Sequence, residues 1–135
     1  MILITCIEDN LGMAFNRRRV SRDTAVCEDI LRESSGSAIW MDVRSKALFR
    51  DMGGNIRTEE GFAEKAAPGE YCLLEFDSPA KYERGAEKLI IYRWNRRYPS
   101  DLKFDIDLGG WTIESSCDFA GSSHETITKE VYIRE

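Results

Sequence analysis

Apolar runs alternate with amphipathic segments along most of this chain. Residues 1–7 are almost continuously apolar, which is typical of a central strand covered on both faces. Strand-like runs follow at 37–43, 70–76 and 89–94, and helical segments are predicted at 21–33, 47–49, 62–67 and 78–87. Because parallel neighbours need crossover connections, this order predicts a mainly parallel sheet with helices on both faces.

The last part of the chain has a different pattern. Runs 111–119 and 126–134 are strand-like, and a polar loop at 120–125 joins them, which predicts a C-terminal antiparallel hairpin at one sheet edge. Segment 50–61 is polar and contains two adjacent glycines, so it is predicted to be an exposed connection. With no repeat or linker, we expect a single α/β domain over 1–135.

Composition narrows the class of protein. Hydrophobic residues make up 42% of the 135 residues and charged residues 32%, which is typical of a chain that folds without a partner. The chain has no signal-peptide pattern and no apolar run of roughly 20 residues, so we expect a cytoplasmic protein without membrane contact. The four cysteines are widely spaced, which predicts reduced core residues and no metal site.

The first predicted helix carries the earliest candidate site. Ser21 is its predicted N-cap, and Asp23 is predicted to lie in its first turn. Asp23 is a candidate for binding a cationic ligand group or for general base catalysis; alternatively it is an acid favoured there by the helix dipole. Asp42, at the end of the second strand, is a similar ligand-binding candidate. His124 is a second catalytic candidate, although its polar hairpin loop predicts an exposed residue.

A series of short segments resembles dihydrofolate reductase over nearly the whole chain. In order, these are Met1-Ile2, Gly12-Met13, Asp23, the run Ile39-Trp40-Met41-Asp42-Val43-Arg44-Ser45, Ala86-Glu87-Lys88-Leu89, Asp101, Phe104 and Trp111. The resemblance implies a shortened version of that fold. It also places Asp23 near the position of the family's substrate-binding acid.

Several residues depart from the pattern of that family. Glu75-Phe76-Asp77 stands where the family has the adjacent glycines that admit the cofactor pyrophosphate, and Val43 stands where it has a phosphate-recognising arginine. Asp42 replaces a further glycine. Side chains and negative charge would obstruct and repel a pyrophosphate, so we expect no cofactor, NADPH included.

The chain is also similar to short bacterial proteins, some of them described as ribonuclease Z. The similar segments are Phe15-Asn16-Arg17-Arg18-Arg19 and Tyr92-Arg93-Trp94-Asn95-Arg96. Ribonuclease Z is a dinuclear zinc hydrolase that needs a histidine-rich ligand set. This chain has one histidine, so the description does not fit as a statement of mechanism.

Charge is concentrated in two turns that follow strands. The residues that we predict to bind a ligand there are Asn16, Arg18, Arg19, Asn95, Arg96 and Arg97. Both turns leave carboxyl ends of parallel strands, and if those strands are neighbours the arginines converge on one cleft. Guanidinium groups match phosphate or carboxylate. The alternative is that the arginines form solvated loops paired with acidic residues.

Three functional hypotheses follow. The first is a non-catalytic binding or regulatory module, whose arginine-lined cleft holds an anionic small molecule or a partner. The net charge of −5 argues against general nucleic-acid binding but allows a local contact. The second is a residual enzyme, either a phosphodiester hydrolase using Asp23 and His124 or a divergent reductase-like oxidoreductase. The third is a structural protein whose exposed edge forms a homodimer.

Overall fold

A computed structural model describes residues 1–134. The strands are β1 (Ile2–Ile7), β2 (Gly12–Phe15), β3 (Arg18–Arg19), β4 (Ile39–Met41), β5 (Ile56–Arg57), β6 (Tyr71–Leu73), β7 (Lys88–Arg93), β8 (Leu102–Lys103), β9 (Trp111–Phe119) and β10 (Ile127–Arg134). The α-helices are α1 (Thr24–Glu33), α2 (Val43–Lys46) and α3 (Phe62–Lys65). Short 3-10 helices span Ala47–Phe49, Pro79–Gly85 and Leu108–Gly110.

The main sheet has seven strands in the order β5-β4-β6-β1-β7-β10-β9. The pairs from β5 to β7 are parallel, and β10 is antiparallel to both β7 and β9. β1 lies in the centre and pairs with β7 along its whole length. The predicted mainly parallel sheet and the C-terminal hairpin are therefore confirmed.

Alternate residues of the central strand face two separate cores. Ile2 and Ile4 pack in one core with Val26 of α1, whereas Leu3 packs on the opposite face in a core that includes Ala63 of α3. Each fully buried Leu or Ile side chain stabilises the fold by about 1.5–3 kcal/mol relative to exposure. Because both faces are covered, β1 is apolar without alternation, as its sequence predicted.

Two predicted helices differ from the structure. Helix α1 begins at Thr24, and its N-cap is Asp23 rather than Ser21, because the Asp23 side chain accepts a hydrogen bond from the Ala25 amide at 2.9 Å. The helix predicted at 78–87 is the 3-10 helix Pro79–Gly85. Only Pro79 of that segment is buried, so it has no apolar face whose packing would stabilise an α-helix.

A second, three-stranded sheet of order β3-β2-β8 was not predicted from the sequence. Phe15 and Arg18 pair across a two-residue turn, in which Asn16 and Arg17 have positive φ angles of 50° and 64°. Such mirror-image turns match the twist of a hairpin. The two-residue strand β5, inside the predicted exposed connection, was also missed because strands this short carry no periodicity.

The burial of the cysteines and tryptophans follows from their positions in the sheet. Cys27 and Cys72 are buried as predicted, and all three tryptophans are buried. Cys117 is exposed, contrary to the prediction, because it lies on β9 at the outer edge of the sheet, where residues 112–118 are all exposed. A homodimer through this edge stays a prediction. Within residues 1–134, no helix has the length and apolar character needed to cross a membrane.

Candidate functional site

Both basic turns lie towards the edge of the main sheet at which its parallel strands end, but they line separate depressions and do not converge on one cleft as predicted. The strands β1 and β7 are neighbours, as expected, and the Asp9 amide in the loop after β1 donates to the Arg96 carbonyl at 2.9 Å. The first basic turn, however, joins β2 to β3 and does not follow β1 directly. The Glu8 carboxylate, which is 1% exposed, accepts hydrogen bonds from the Gly12 amide and the Ser100 hydroxyl. A Cβ atom at Gly12 would lie about 2.2 Å from Ser100, so this close approach requires glycine.

A depression of about 650 Å³ at this edge is lined by seven residues, five of which are arginines. We call it the arginine cleft, and its lining residues are Arg17, Arg18, Arg19, Ser21, Arg22, Arg44 and Phe76. Of the predicted arginines, Arg18 and Arg19 line it. Arg96 and Asn95 instead line a separate depression of about 360 Å³ together with His124.

Four predicted ligand-binding residues line neither depression, namely Asn16, Asp23, Asp42 and Arg97. Asn16 lies in the β2–β3 turn, where its amide donates to Asp101 at 3.0 Å, and Arg97 follows β7. Arg44 was not predicted as a residue of the cleft. Its position just after the carboxyl end of β4, at the same edge of the sheet, was the signal that could have indicated it.

Two arginines of the cleft are held in place by acidic partners. Arg19 binds the Glu75 carboxylate through Nε at 3.1 Å, and Glu75 is itself buried and accepts from the Ser45 hydroxyl. Arg44 binds Asp42 at 2.9 Å. The hydrogen bond from Arg44 lowers the pKa of Asp42, so this carboxylate is the partner of Arg44 and the N-cap of α2.

The phenyl ring of Phe76 contacts the guanidinium groups of both of these arginines. The Arg44 guanidinium lies 4.0 Å from the ring centroid, and that of Arg19 lies 5.6 Å from it. By contrast, the side chains of Arg17, Arg18 and Arg22 form no ion pair or hydrogen bond within residues 1–134. The cleft therefore combines two fixed guanidinium groups with three that have no acidic partner in the described part of the chain.

Asp23 lies behind the cleft, where its side chain is fully buried. Besides the Ala25 amide, its carboxylate accepts from the Ser122 and Ser123 amides and from His124 Nδ1, at 2.8–2.9 Å. Burial raises the pKa of Asp23, but these hydrogen bonds outweigh burial and lower it to about 2. We call Asp23, Ser122, Ser123 and His124 the hairpin clamp. A ligand would have to displace the 120–125 loop to reach Asp23.

His124 is buried, at 6% exposure, so the prediction of an exposed loop residue was wrong. The cause is the clamp: the polar loop folds back onto the start of α1 instead of projecting into solvent. A Cβ atom at Gly121 would lie 2.6 Å from Asp23 Oδ2, so only glycine allows this approach. The imidazole ring stacks on Trp94, with ring centroids 4.7 Å apart.

The second ring nitrogen of His124 faces two hydroxyl groups. Nε2 lies 3.0 Å from Ser21 Oγ and 2.9 Å from the Tyr98 hydroxyl, and these two oxygens are 3.2 Å apart. Because ionised Asp23 can only accept, Nδ1 carries the proton, and Nε2 of the neutral ring is an acceptor. The structure thus brings the two catalytic candidates, Asp23 and His124, together and adds Ser21, which the sequence analysis considered only as a cap.

The space between α1 and the sheet is nearly closed. A cavity of about 10 Å³ is lined in part by Asp23, Glu75 and Trp94, and this volume is about enough for one water molecule. In the described chain, residues 1–134, no cluster of three His, Cys, Asp or Glu residues is arranged to hold a metal ion. The room for a larger ligand lies in the open depressions.

Comparison with known proteins bears on the fold. No protein-family model matches the chain, and no curated protein sequence matches it. Among solved structures, it is similar to dihydrofolate reductase from Enterococcus faecalis complexed with NADP(H) and RAB-propyl, with a TM-score of 0.66 over 99% of this chain and 95% of that chain. This chain has a dihydrofolate reductase-like fold. The sequence identity is 10%, so the likeness concerns the fold alone.

The residues after β6 do not fit the pyrophosphate of a nicotinamide dinucleotide. The resemblance to dihydrofolate reductase assigns adjacent glycines to this segment, whereas this chain places a buried carboxylate, Glu75, and the ring of Phe76 there. The next residue, Asp77, binds Lys81 at 2.8 Å and accepts from the Tyr82 hydroxyl. Side chains therefore occupy the space beside the backbone that adjacent glycines would leave open to a pyrophosphate.

Proposed function

We propose that this chain is a binding module whose arginine cleft holds a small anionic ligand bearing phosphate or carboxylate groups. The observation that carries the proposal is the cluster of Arg17, Arg18 and Arg22, which have no acidic partner in residues 1–134. The chain has 24 acidic residues and a net charge of −5, so acidic partners were available to neutralise such a cluster. An anion would relieve the repulsion between these guanidinium groups.

The other two arginines support the same conclusion, because their order reduces the conformational entropy lost on ligand binding. Arg19 and Arg44 are oriented by Glu75, Asp42 and the Phe76 ring. A guanidinium group that is already ordered loses less conformational freedom when it binds a ligand. The fixed pair therefore supplies geometry, and the three unpaired arginines supply charge. The position at the carboxyl edge of a parallel sheet is where ligands of such folds usually bind.

The first prediction compares two double variants with the same loss of charge. Inorganic phosphate and pyrophosphate are titrated at constant ionic strength, with thermal unfolding and calorimetry as measurements. Pyrophosphate at about 100 times its Kd is expected to stabilise the wild type by about 2.7 kcal/mol. Replacing Arg18 and Arg22 by alanine should abolish this effect, because it removes two cleft arginines.

The matched control replaces Arg96 and Arg97 by alanine. It removes the same charge from the second basic turn and should leave binding within about threefold of the wild type. Equal losses in both double variants would show a general charge effect instead of a site. A wild type that neither anion stabilises would refute the proposed function.

A further inference from the structure

We propose that Ser21 is a nucleophile for phosphate esters bound in the arginine cleft, with His124 as its base; this rests on the proposed function of the cleft. Ser21 is half-buried and lies between the arginine cleft and the hairpin clamp. It lines the arginine cleft, and its Oγ lies 3.0 Å from His124 Nε2. A serine hydroxyl is a weak nucleophile unless an adjacent base accepts its proton, and His124 is in position to do so.

The imidazole ring is oriented from its other side. Asp23 accepts the Nδ1 proton at 2.9 Å, and Trp94 stacks on the ring face with an interplanar angle of 24°. These contacts select the tautomer in which Nε2 is free to accept a proton. The ionised Asp23 carboxylate also stabilises the imidazolium that forms. Asp23 is therefore a positioning residue, since it reaches no ligand itself.

Tyr98 provides a route for the proton to leave the buried ring. Its hydroxyl contacts both His124 Nε2 and Ser21 Oγ, and its side chain is only half-buried. His124 alone has little access to solvent, since its side chain is 2% exposed. The Tyr98 hydroxyl is 3.2 Å from Ser21 Oγ, and Ser21 lines the cleft, so a proton passed from Nε2 through Tyr98 can reach an oxygen atom bound beside Ser21.

The arginines favour phosphorus over an acyl carbon as the atom attacked. During phosphoryl transfer, negative charge is spread over the equatorial oxygens of the phosphoryl group, and catalysis consists largely of positioning and electrostatic stabilisation. Arg22 is the neighbour of Ser21 in the chain, and Arg19 is fixed by Glu75. Guanidinium groups around a nucleophilic hydroxyl supply the charge that this transition state requires.

The reaction is a two-step hydrolysis. In the first step the Ser21 proton moves to His124 Nε2, Oγ bonds to phosphorus, and the bond from phosphorus to the leaving alcohol breaks. The proton on Nε2 passes through Tyr98 to the leaving oxygen. In the second step water attacks phosphorus, its proton goes to Nε2, and the bond to Oγ breaks as Oγ regains a proton. The net reaction converts a phosphate ester and water into a phosphate and an alcohol.

The test uses bis(4-nitrophenyl) phosphate in the presence of EDTA, with release of 4-nitrophenolate and intact-protein mass as measurements. 4-Nitrophenolate leaves without a proton, so the assay isolates the attack by Ser21. We expect an acid-quenched adduct on the peptide containing Ser21. Ser21→Ala should abolish the adduct, and the rate of release should fall about 100-fold or more.

His124→Asn is the sharper variant, because the asparagine amide can replace Nδ1 as donor to Asp23 but has no counterpart of Nε2. It should fold, bind pyrophosphate and lose release to the same extent as Ser21→Ala. Ser35→Ala is the matched control, since Ser35 is exposed and its side chain has no hydrogen bond within residues 1–134. Its rate of release should equal that of the wild type.

The outcomes separate this inference from the proposed function. If the wild type binds pyrophosphate but forms no adduct and releases no nitrophenolate, the inference is wrong and the proposed function stands. Release that persists in Ser21→Ala also overturns it. If the wild type binds no pyrophosphate, the proposed function fails and the nucleophile loses its substrate site. If His124→Asn does not fold, the adduct on Ser21 and the rate of release in Ser21→Ala decide whether the inference is correct.

Discussion

The hairpin clamp and the arginine cleft lie on either side of Ser21. They differ in the burial of their polar groups and in the number of partners that these groups have. In the clamp, the Asp23 carboxylate is buried and accepts four hydrogen bonds. In the cleft, Arg17, Arg18 and Arg22 reach solvent and have no acidic partner within residues 1–134. The difference separates groups that hold the fold together from groups that are free to bind something else.

The physical reason is the surrounding solvent. A buried polar group that loses its hydrogen-bond partner costs about 1–3 kcal/mol, and more if it is charged, so the clamp must be complete. An exposed guanidinium group keeps its water and can remain unpaired at little cost. Stability should therefore depend on the clamp, and ligand binding on the cleft.

The largest expected effect compares two aspartates that both cap a helix. Asp23→Ala should lower the free energy of unfolding by about 2–4 kcal/mol, because it removes the cap of α1 and strands the buried Nδ1 donor of His124. Asp42→Ala should cost about 1 kcal/mol, since Asp42 caps α2 at the surface. Urea unfolding of both variants measures the difference. Similar losses in the two variants would mean that the clamp contributes no more than an ordinary cap.

Acid should remove part of the clamp's contribution. The pKa of Asp23 is about 2 in the folded state, against an ordinary value of 3.8, so folding favours the ionised carboxylate. The resulting stabilisation, about 2 kcal/mol, is present above about pH 4 and is lost as the pH falls towards 2. The gap in unfolding free energy between the wild type and Asp23→Asn should narrow by about 2 kcal/mol between about pH 5 and pH 2. A gap independent of pH would contradict this assignment.

The smallest expected effect on stability comes from replacing Arg18 or Arg22 of the cleft. Arg18→Ala and Arg22→Ala should each change the free energy of unfolding by no more than about 0.5 kcal/mol, because neither side chain has an ion-pair or hydrogen-bond partner among residues 1–134. Urea unfolding in low salt without added anion is the measurement. Arg19→Ala is the contrast, since it strands the buried Glu75 carboxylate and should be clearly destabilising. Equal effects of Arg18→Ala and Arg19→Ala would remove the distinction between fixed and free arginines.

Prediction from sequence succeeded where burial follows a local pattern. The continuous apolar run of β1 and the alternating order of strands and helices were sufficient for the sheet, its parallel centre and its C-terminal hairpin. The two-residue strands β3, β5 and β8 were missed, because they are too short for any periodicity. The helix cap was placed two residues early, since Ser21 and Asp23 are both good caps and only the bond to the Ala25 amide distinguishes them.

Hydrophobic patterning along the chain specified the fold, because a strand buried on both faces and an amphipathic helix each leave a local signature. Which polar residues meet was a matter of tertiary structure alone. Asp23 and His124 are 101 positions apart, and their contact depends on a glycine-containing loop closing over the start of α1. The same closure buries His124 and turns its free nitrogen towards Ser21, beside arginines that come from two different strand ends.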